Sequence, residues 1–331
     1  MFAQRLRLFI AAGIALAVVV VVLGAFTRLV DAGLGCPDWP GCYGHLMWPD
    51  DASEIEMAEQ LFPDAPVDMD KTWPEMVHRY FAGALLLLVA ALTLISWRHS
   101  EASHLKRLST VLLVLIITQA AFGMWTVTLK LWPQVVTAHL LGGFATLALL
   151  WTIYLREGGM RSLSMKEADG HTVQAMARFA LAAVILQVAL GGWVTSNYAA
   201  LACADFPTCY GQYWPDMDAA AGFNVLQGVG PNYLGGLLDN EARVAIHWAH
   251  RLGAVLVLLA VGLLALRIRP SQTLLGNTLL GVLALQLLLG ILNVVWSLPL
   301  VVATLHNAGG ALLLLLVVTV NFAPRAAATQ D

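Results

Sequence analysis

The chain reads as an all-α membrane protein: eight transmembrane helices in two tandem four-helix bundles related by a parallel, same-topology repeat. Three observations predict this. Of the 331 residues, 59% are hydrophobic and only 12% charged, where a soluble domain carries about 25% charged residues. Eight apolar runs, at about 8–27, 78–97, 108–129, 135–155, 178–196, 244–266, 274–296 and 301–322, are each long enough to cross a bilayer core of about 30 Å as a helix. Finally, a block containing a cysteine pair occurs twice, 167 positions apart. Helices satisfy their own backbone hydrogen bonds in lipid, so a helical bundle is the architecture such runs adopt.

The first run follows Arg5 and Arg7 and has the basic and apolar parts of a secretory signal. It is long for that role, and its end has a counterpart deep in the chain, so it reads as a retained first helix. LGAFTRLVDAGLGC (Leu23 to Cys36) aligns without a gap on LGGWVTSNYAALAC (Leu190 to Cys203). The segment after the first run, about 28–77, holds CPDWPGC (Cys36 to Cys42) and SEIEMAEQLF (Ser53 to Phe62), a short amphipathic stretch suited to a membrane surface. Trp39, Trp48, Trp73 and Trp214 fit an interfacial belt. The counterpart segment, about 197–243, holds CADFPTC (Cys203 to Cys209) and the glycine-rich turn GPNYLGG (Gly230 to Gly236). Tyr43-Gly44 matches Tyr210-Gly211, Trp48-Pro49 matches Trp214-Pro215, and Gln119 and Gly123 match Gln286 and Gly290. TAHLLGG (Thr137 to Gly143) matches TLHNAGG (Thr304 to Gly310). Four spans per half is an even number, so both halves enter from one side. The halves are expected at 1–160 and 161–331.

Lys and Arg bias sets the orientation. With the N-terminus cytoplasmic, twelve of the eighteen basic residues lie inside, Arg161, Lys166 and Arg325 among them, and six lie outside. Both termini are then cytoplasmic, and both cysteine-bearing loops face the periplasm of a bacterial inner membrane, where disulfides persist. Pairing Cys36 with Cys42 and Cys203 with Cys209 makes two structural clips, each worth at most about 2–3 kcal/mol for so short a loop. Thiol exchange with an outside partner is the alternative, and a Cys₄ zinc site is disfavoured by the spacing. No basic run points to nucleic acid, and the partner implied by composition is the lipid bilayer.

The second, fourth, sixth and eighth runs each carry a histidine at the end facing the loops: His78, His139, His250 and His306. A lone intramembrane histidine is often a hydrogen-bonded packing residue. Four at one depth, duplicated in pairs, point instead to metal ligation, because two facing imidazoles are what a six-coordinate haem iron takes. The expected pockets pair His78 with His139 and His250 with His306. Glu75 stands three residues before His78, and His247 three residues before His250; that spacing shares a helix face. The carboxylate, present only in the first half, takes a proton or steadies charge at a porphyrin edge, or else pairs with Arg79 or caps the helix start. Chemistry is therefore assigned to the first half and electron supply to the second. A di-haem electron carrier, and a haem transporter or chaperone that performs no chemistry, are the rival readings. Ligands at a single face argue against the first, and Glu75 argues against the second.

With EMVHR, a histidine on each even span, eight spans in two halves and a cysteine pair in each long loop, the chain from about Leu23 to Gly310 resembles the haem A synthase family. The resemblance implies an oxidoreductase acting on a CH group, converting the C8 methyl of haem O to the formyl of haem A through successive hydroxylations and loss of water. It implies haem O on His78 and His139 beside Glu75 as catalytic residue, and haem b as cofactor on His250 and His306. His247, Arg79 and Arg251 are accessory candidates. It leaves the electron acceptor unnamed, and a haem O synthase, a terminal oxidase and a second copy of the chain stay open as partners. The cysteine pairs match branches of the family that form disulfides.

Overall fold

The computed structural model describes residues 1–159 and 170–322. The expected boundary between 160 and 161, and Arg161, Lys166 and Arg325 of the charge tally, lie outside the described residues. Ten α-helices are present: α1 (Phe2–Leu29), α2 (Ala52–Leu61), α3 (Met69–Arg98), α4 (Lys106–Thr128), α5 (Pro133–Arg156), α6 (Gly170–Ser196), α7 (Ala219–Gly222), α8 (Asn240–Ile268), α9 (Thr273–Val295) and α10 (Leu300–Phe322). All but α2 and α7 are long and apolar enough to cross a membrane, eight in number as expected. The amphipathic stretch at Ser53 forms α2, which Asp51 caps by accepting the Glu54 N–H at 2.8 Å.

Four helices, α1, α3, α6 and α8, begin four or more residues before their apolar runs, and two of them, α3 and α8, carry His78 and His250. In these two the runs start at about 78 and 244, whereas α3 starts at Met69 and α8 at Asn240. Their first turns, MDKTWPEM and NEARVA, are too polar to register as membrane sequence, yet Asp68 caps α3 through the Asp70 N–H at 3.1 Å. The 30 residues of α3 span about 45 Å, more than the hydrocarbon core, so this end stands clear of it.

The helices pack in order. α1, α3, α4 and α5 are successive neighbours, and α1 closes on α5; α6, α8, α9 and α10 do the same, and α6 closes on α10. α5 meets both α6 and α10, and α1 meets α10, along the seam between the two rings. The largest buried apolar cluster extends to the end away from the long loops. Leu6 and Ile10 of α1, Leu92 of α3, Leu112 of α4, Leu147 and Leu150 of α5, Leu264 and Ile268 of α8, Leu279 of α9 and Val317 of α10 there form one buried cluster. Lipid-facing surfaces carry exposed Leu87, Val114, Leu259 and Leu263, which cost nothing in hydrocarbon.

Polar contacts mark the seam near the loops. Arg28 Nη2 donates to the Thr195 carbonyl at 2.7 Å, the Tyr198 hydroxyl donates to Asp31 Oδ1 at 3.1 Å, and the Arg28 guanidinium lies 4.1 Å over the Tyr198 ring. At the opposite end Trp151 Nε1 donates to Thr319 Oγ1 at 2.8 Å. The second long loop also laps over the first ring, where Trp132 Nε1 donates to the Gln227 carbonyl at 2.9 Å and Tyr233 N–H to the Lys130 carbonyl at 3.0 Å.

Both cysteine pairs are disulfide-bonded, Cys36 to Cys42 and Cys203 to Cys209, with Cα atoms 4.8 Å apart in each. An aspartate inside each loop closes it. Asp38 accepts the Tyr43 and Gly44 N–H groups at 2.7 and 2.8 Å, and Asp205 accepts those of Tyr210 and Gly211 at 2.6 and 3.0 Å. Tyr43 and Tyr210 have φ of 54° and 53°, left-handed backbone that an aspartate cage of this kind offsets. The Thr208 hydroxyl, followed by the Gly211 amide, holds the Asp205 carboxyl down to about 2, below its ordinary 3.8. A depressed carboxyl contributes above its ordinary range and loses that contribution as pH falls towards the lower value. Amide exchange protection at Tyr210 and Gly211 is therefore expected to hold through pH 4 and to fall only as pH approaches about 2. In Asp205→Ala it should be absent at every pH; full protection in that variant would remove the aspartate from this role.

Candidate functional site

His78 is the tenth residue of α3, His250 the eleventh of α8, and His139 and His306 the seventh of α5 and α10. They lie two to three turns inside their helices, not at the heads; for His78 and His250 the reason is that α3 and α8 begin earlier than their apolar runs. All four remain at the loop end of the bundle, above the apolar cluster.

Each ring rests on a glycine of the preceding long helix. A Cβ built on Gly24 of α1 would lie 3.0 Å from His78 Nε2, and one on Gly123 of α4 3.5 Å from His139 Cε1. In the other ring, Cβ atoms on Gly191 of α6 and Gly290 of α9 would lie 3.2 Å from Cε1 of His250 and of His306. Glycine lets the helix backbones approach the rings this closely. The glycines that matter are thus those facing each histidine across a helix pair. Those following it serve differently: Gly83 and Gly143 face open space, while Gly142, Gly253 and Gly309 abut the side chains of Gln119, Gln187 and Gln286.

The structure brings His78 and His139 together, with ring centroids 6.4 Å apart and planes at 83°. Two imidazoles on opposite faces of one metal ion, each with its nitrogen about 2 Å from the metal and its ring centre about 1.1 Å further, have centroids roughly 6.2 Å apart. The observed pair fits that requirement. His250 and His306 share the second ring and interact electrostatically. The His78–His139 spacing suits an iron porphyrin, and His250 and His306 stand at the corresponding positions of the second ring.

Glu75 is buried at 5% exposure. Its Oε2 accepts the Cys36 N–H at 3.0 Å, and its Oε1 pairs with Arg79. Arg79 Nη1 in turn donates to the Asp38, Pro40 and Gly41 carbonyls of the disulfide loop. The second ring repeats the scheme with a histidine in place of the carboxylate. His247 Nδ1 faces the Cys203 N–H at 3.2 Å and its Nε2 faces Arg251 Nε at 3.2 Å, while Arg251 clamps the Cys203, Asp205 and Thr208 carbonyls. A carboxylate accepts both donors; a neutral imidazole accepts only one. Glu75, Arg79, His247 and Arg251 thus fasten the two disulfide loops to the helices that carry His78 and His250. Glu75 does not cap its helix: it is the seventh residue of α3, and Asp68 is the cap.

Residues that sequence reasoning passed over complete the site. Gln286 Nε2 donates to the His306 carbonyl at 2.9 Å, and Gln187 Nε2 to the His250 carbonyl at 3.0 Å. The spacing Gln-x-x-x-Gly on α4, α6 and α9 was the available signal; Gln119 and Gln286 had been legible only as repeat markers.

Fold and site define a multi-pass helical membrane protein with paired histidines held beneath disulfide-closed loops. The chain belongs to the COX15-CtaA family of cytochrome oxidase assembly proteins, the haem A synthase family, whose model matches residues 7–318. A protein named heme A synthase from Shewanella oneidensis is 46% identical over 308 residues, 92% of each chain. Another of that name, from Caulobacter vibrioides, is 28% identical over 93% of this chain and 92% of its own. A third, from Halalkalibacterium halodurans, is 27% identical over 71% and 72%.

The anchoring scheme makes a prediction. Glu75→Ala leaves Arg79 and the Cys36 N–H without their buried partner and should cost about 3–5 kcal/mol, read as a lowered Tm in detergent. His247→Glu supplies the second acceptor and should raise Tm; a fall in Tm would contradict the account of the two donors.

Proposed function

We propose that the chain is a haem A synthase, oxidising the C8 methyl of haem O to the formyl of haem A through successive hydroxylations and loss of water. The single observation that carries the reading is the His78–His139 pair, whose 6.4 Å separation suits axial ligation of one porphyrin iron. Glu75 lies one turn from it and has no carboxylate counterpart in the second ring. In this reading His78 and His139 hold the substrate, haem O, and His250 and His306 hold haem b.

When bound, haem b supplies one-electron chemistry. What the chain's own residues do follows from their contacts. The glycines behind each ring fix the depth of both pockets. The disulfide loops, fastened by Glu75–Arg79 and His247–Arg251, cover the pockets and keep water out. Glu75 Oε1 and Oε2 are the ionisable atoms near the first pocket, and they hold the Arg79 guanidinium, or take up a proton, at the reacting edge.

We also read the two rings as tandem repeats, 1–160 and 161–331, related by a parallel repeat. Support comes from the seam, where Arg28 meets Thr195 and Asp31 meets Tyr198, each pair 167 residues apart. That is the offset of the sequence alignment, and positions on a two-fold axis contact their own counterparts. The long loops are assigned to the periplasmic side of a bacterial inner membrane and the termini to the cytoplasm, on the Lys and Arg bias.

The test is a haem inventory. The chain is expressed in cells that make haem O and lack haem A, and extracted haems are identified by chromatography and mass spectrometry, with Glu75→Ala alongside. Haem A, or its hydroxylated precursor, is expected with the wild type and is expected to be lost in the variant. Unmodified haems b and O alone, in a protein shown to bind both, would favour the carrier reading.

A further inference from the structure

We propose that His78 is the exchangeable ligand of the first pocket: its imidazole leaves the iron while His139 stays, opening one coordination position for a small molecule. The inference rests on the reading of His78 and His139 as a haem-binding pair.

At three of the four histidine positions a glutamine occupies the same place. On α4, α6 and α9 a glutamine stands four residues before the glycine that backs the histidine ring: Gln119 with Gly123, Gln187 with Gly191, and Gln286 with Gly290. Each glutamine fills the space over a glycine three residues beyond the histidine. A Cβ on Gly142, Gly253 or Gly309 would come within 1.8, 2.1 or 2.5 Å of Gln119, Gln187 or Gln286. Two of these glutamines donate directly to the carbonyl of the histidine, at 3.0 Å for His250 and 2.9 Å for His306. The contact ties the helix turn that carries the ligand to the neighbouring helix.

His78 has no such tie. The position four residues before its backing glycine, Gly24, is Val20, and the position three residues beyond His78 is Phe81. Glutamine and glycine are thus replaced together. No glutamine hydrogen-bonds His78 among the described residues. A second observation lies on the same helix: Pro74 sits inside α3, one turn before His78. Proline has no N–H, so the α-helical bond to the Asp70 carbonyl is missing, and the Pro74 carbonyl is shared with the Thr27 hydroxyl at 3.2 Å. The corresponding residue of α8 is Ile246, which keeps its N–H. The turn that carries His78 thus lacks the glutamine contact and one α-helical bond; Glu75 and Arg79 fasten its outer side to the disulfide loop, and it lies in the pocket read as the substrate site. In the exchange the iron–nitrogen bond breaks with both electrons staying on the imidazole, and the incoming molecule donates its own pair, so no oxidant or reductant is consumed.

Carbon monoxide is the probe. The haem-loaded protein, reduced with dithionite, is mixed with carbon monoxide and followed by stopped-flow absorbance. In the wild type an adduct is expected on one of the two haems, at a rate that levels off as carbon monoxide rises, because imidazole departure limits it. Val20→Gln with Phe81→Gly installs the missing glutamine contact and should lower the limiting rate at least tenfold, with haem content and the starting spectrum unchanged. In His78→Gly the levelling should vanish. The proposal is overturned if levelling persists in His78→Gly and vanishes in His139→Gly, if the double variant leaves the rate unchanged, or if the wild type forms no adduct or forms it on the second haem. Should the double variant not assemble, the two glycine variants decide alone. A preparation with no haem in the first pocket would refute the haem-pair reading itself, whereas an intact pair that does not exchange refutes only this inference.

Discussion

Four imidazole rings pressed against four glycines hold the loop end of this protein together. Each contact lies between two long helices, and Cβ positions 3.0 to 3.5 Å from the rings make the packing close, tightest at Gly24 behind His78. The depth of each histidine is therefore set by the register of a helix pair, not by the histidine's own rotamer alone. Register is fixed in turn by the apolar cluster at the far end, where fully buried Leu92, Leu147, Leu150, Leu264 and Leu279 interlock. Dispersion and shape complementarity, not a water-driven hydrophobic effect, hold helices together in lipid.

The disulfide loops are fastened to this frame by the same helices that carry the ligands. Arg79 and Arg251 clamp loop carbonyls, and Glu75 and His247 face the first cysteine's N–H and steady those arginines. A loop displacement is thus felt one turn away, at His78 or His250. The two rings solve the same mechanical problem with groups of different charge. A buried carboxylate beside one histidine pair and an imidazole beside the other make their surroundings electrostatically unlike, although both fasten a disulfide loop in the same way.

Much of this was legible in the sequence, for identifiable reasons. Hydropathy gave the eight spans because lipid leaves the chain little choice of structure, and the gapless alignment of Leu23–Cys36 on Leu190–Cys203 exposed the repeat. His78 and His139, expected to face one another, have ring centroids 6.4 Å apart. Helix starts were misjudged where polar turns precede the apolar run, at Met69 and Asn240. Hydropathy reports the membrane and is blind to a capped polar extension. Gly123 and Gly290 were legible only as matching positions of the two halves, because a contact between helices leaves no mark in the spacing along one helix. Val20 and Phe81 carried no signal at all until Gln187 was seen bonded to His250; an absence becomes visible only against the contact it lacks.

The central claim is that both histidine pairs are iron sites at the same end of one bundle. Electron cryomicroscopy of the haem-loaded protein in lipid nanodiscs tests it most directly. The account predicts iron density between His78 and His139 and between His250 and His306, both beneath the disulfide loops. Iron at only one pair, at opposite faces of the bundle, or bound by any other side chain would contradict it.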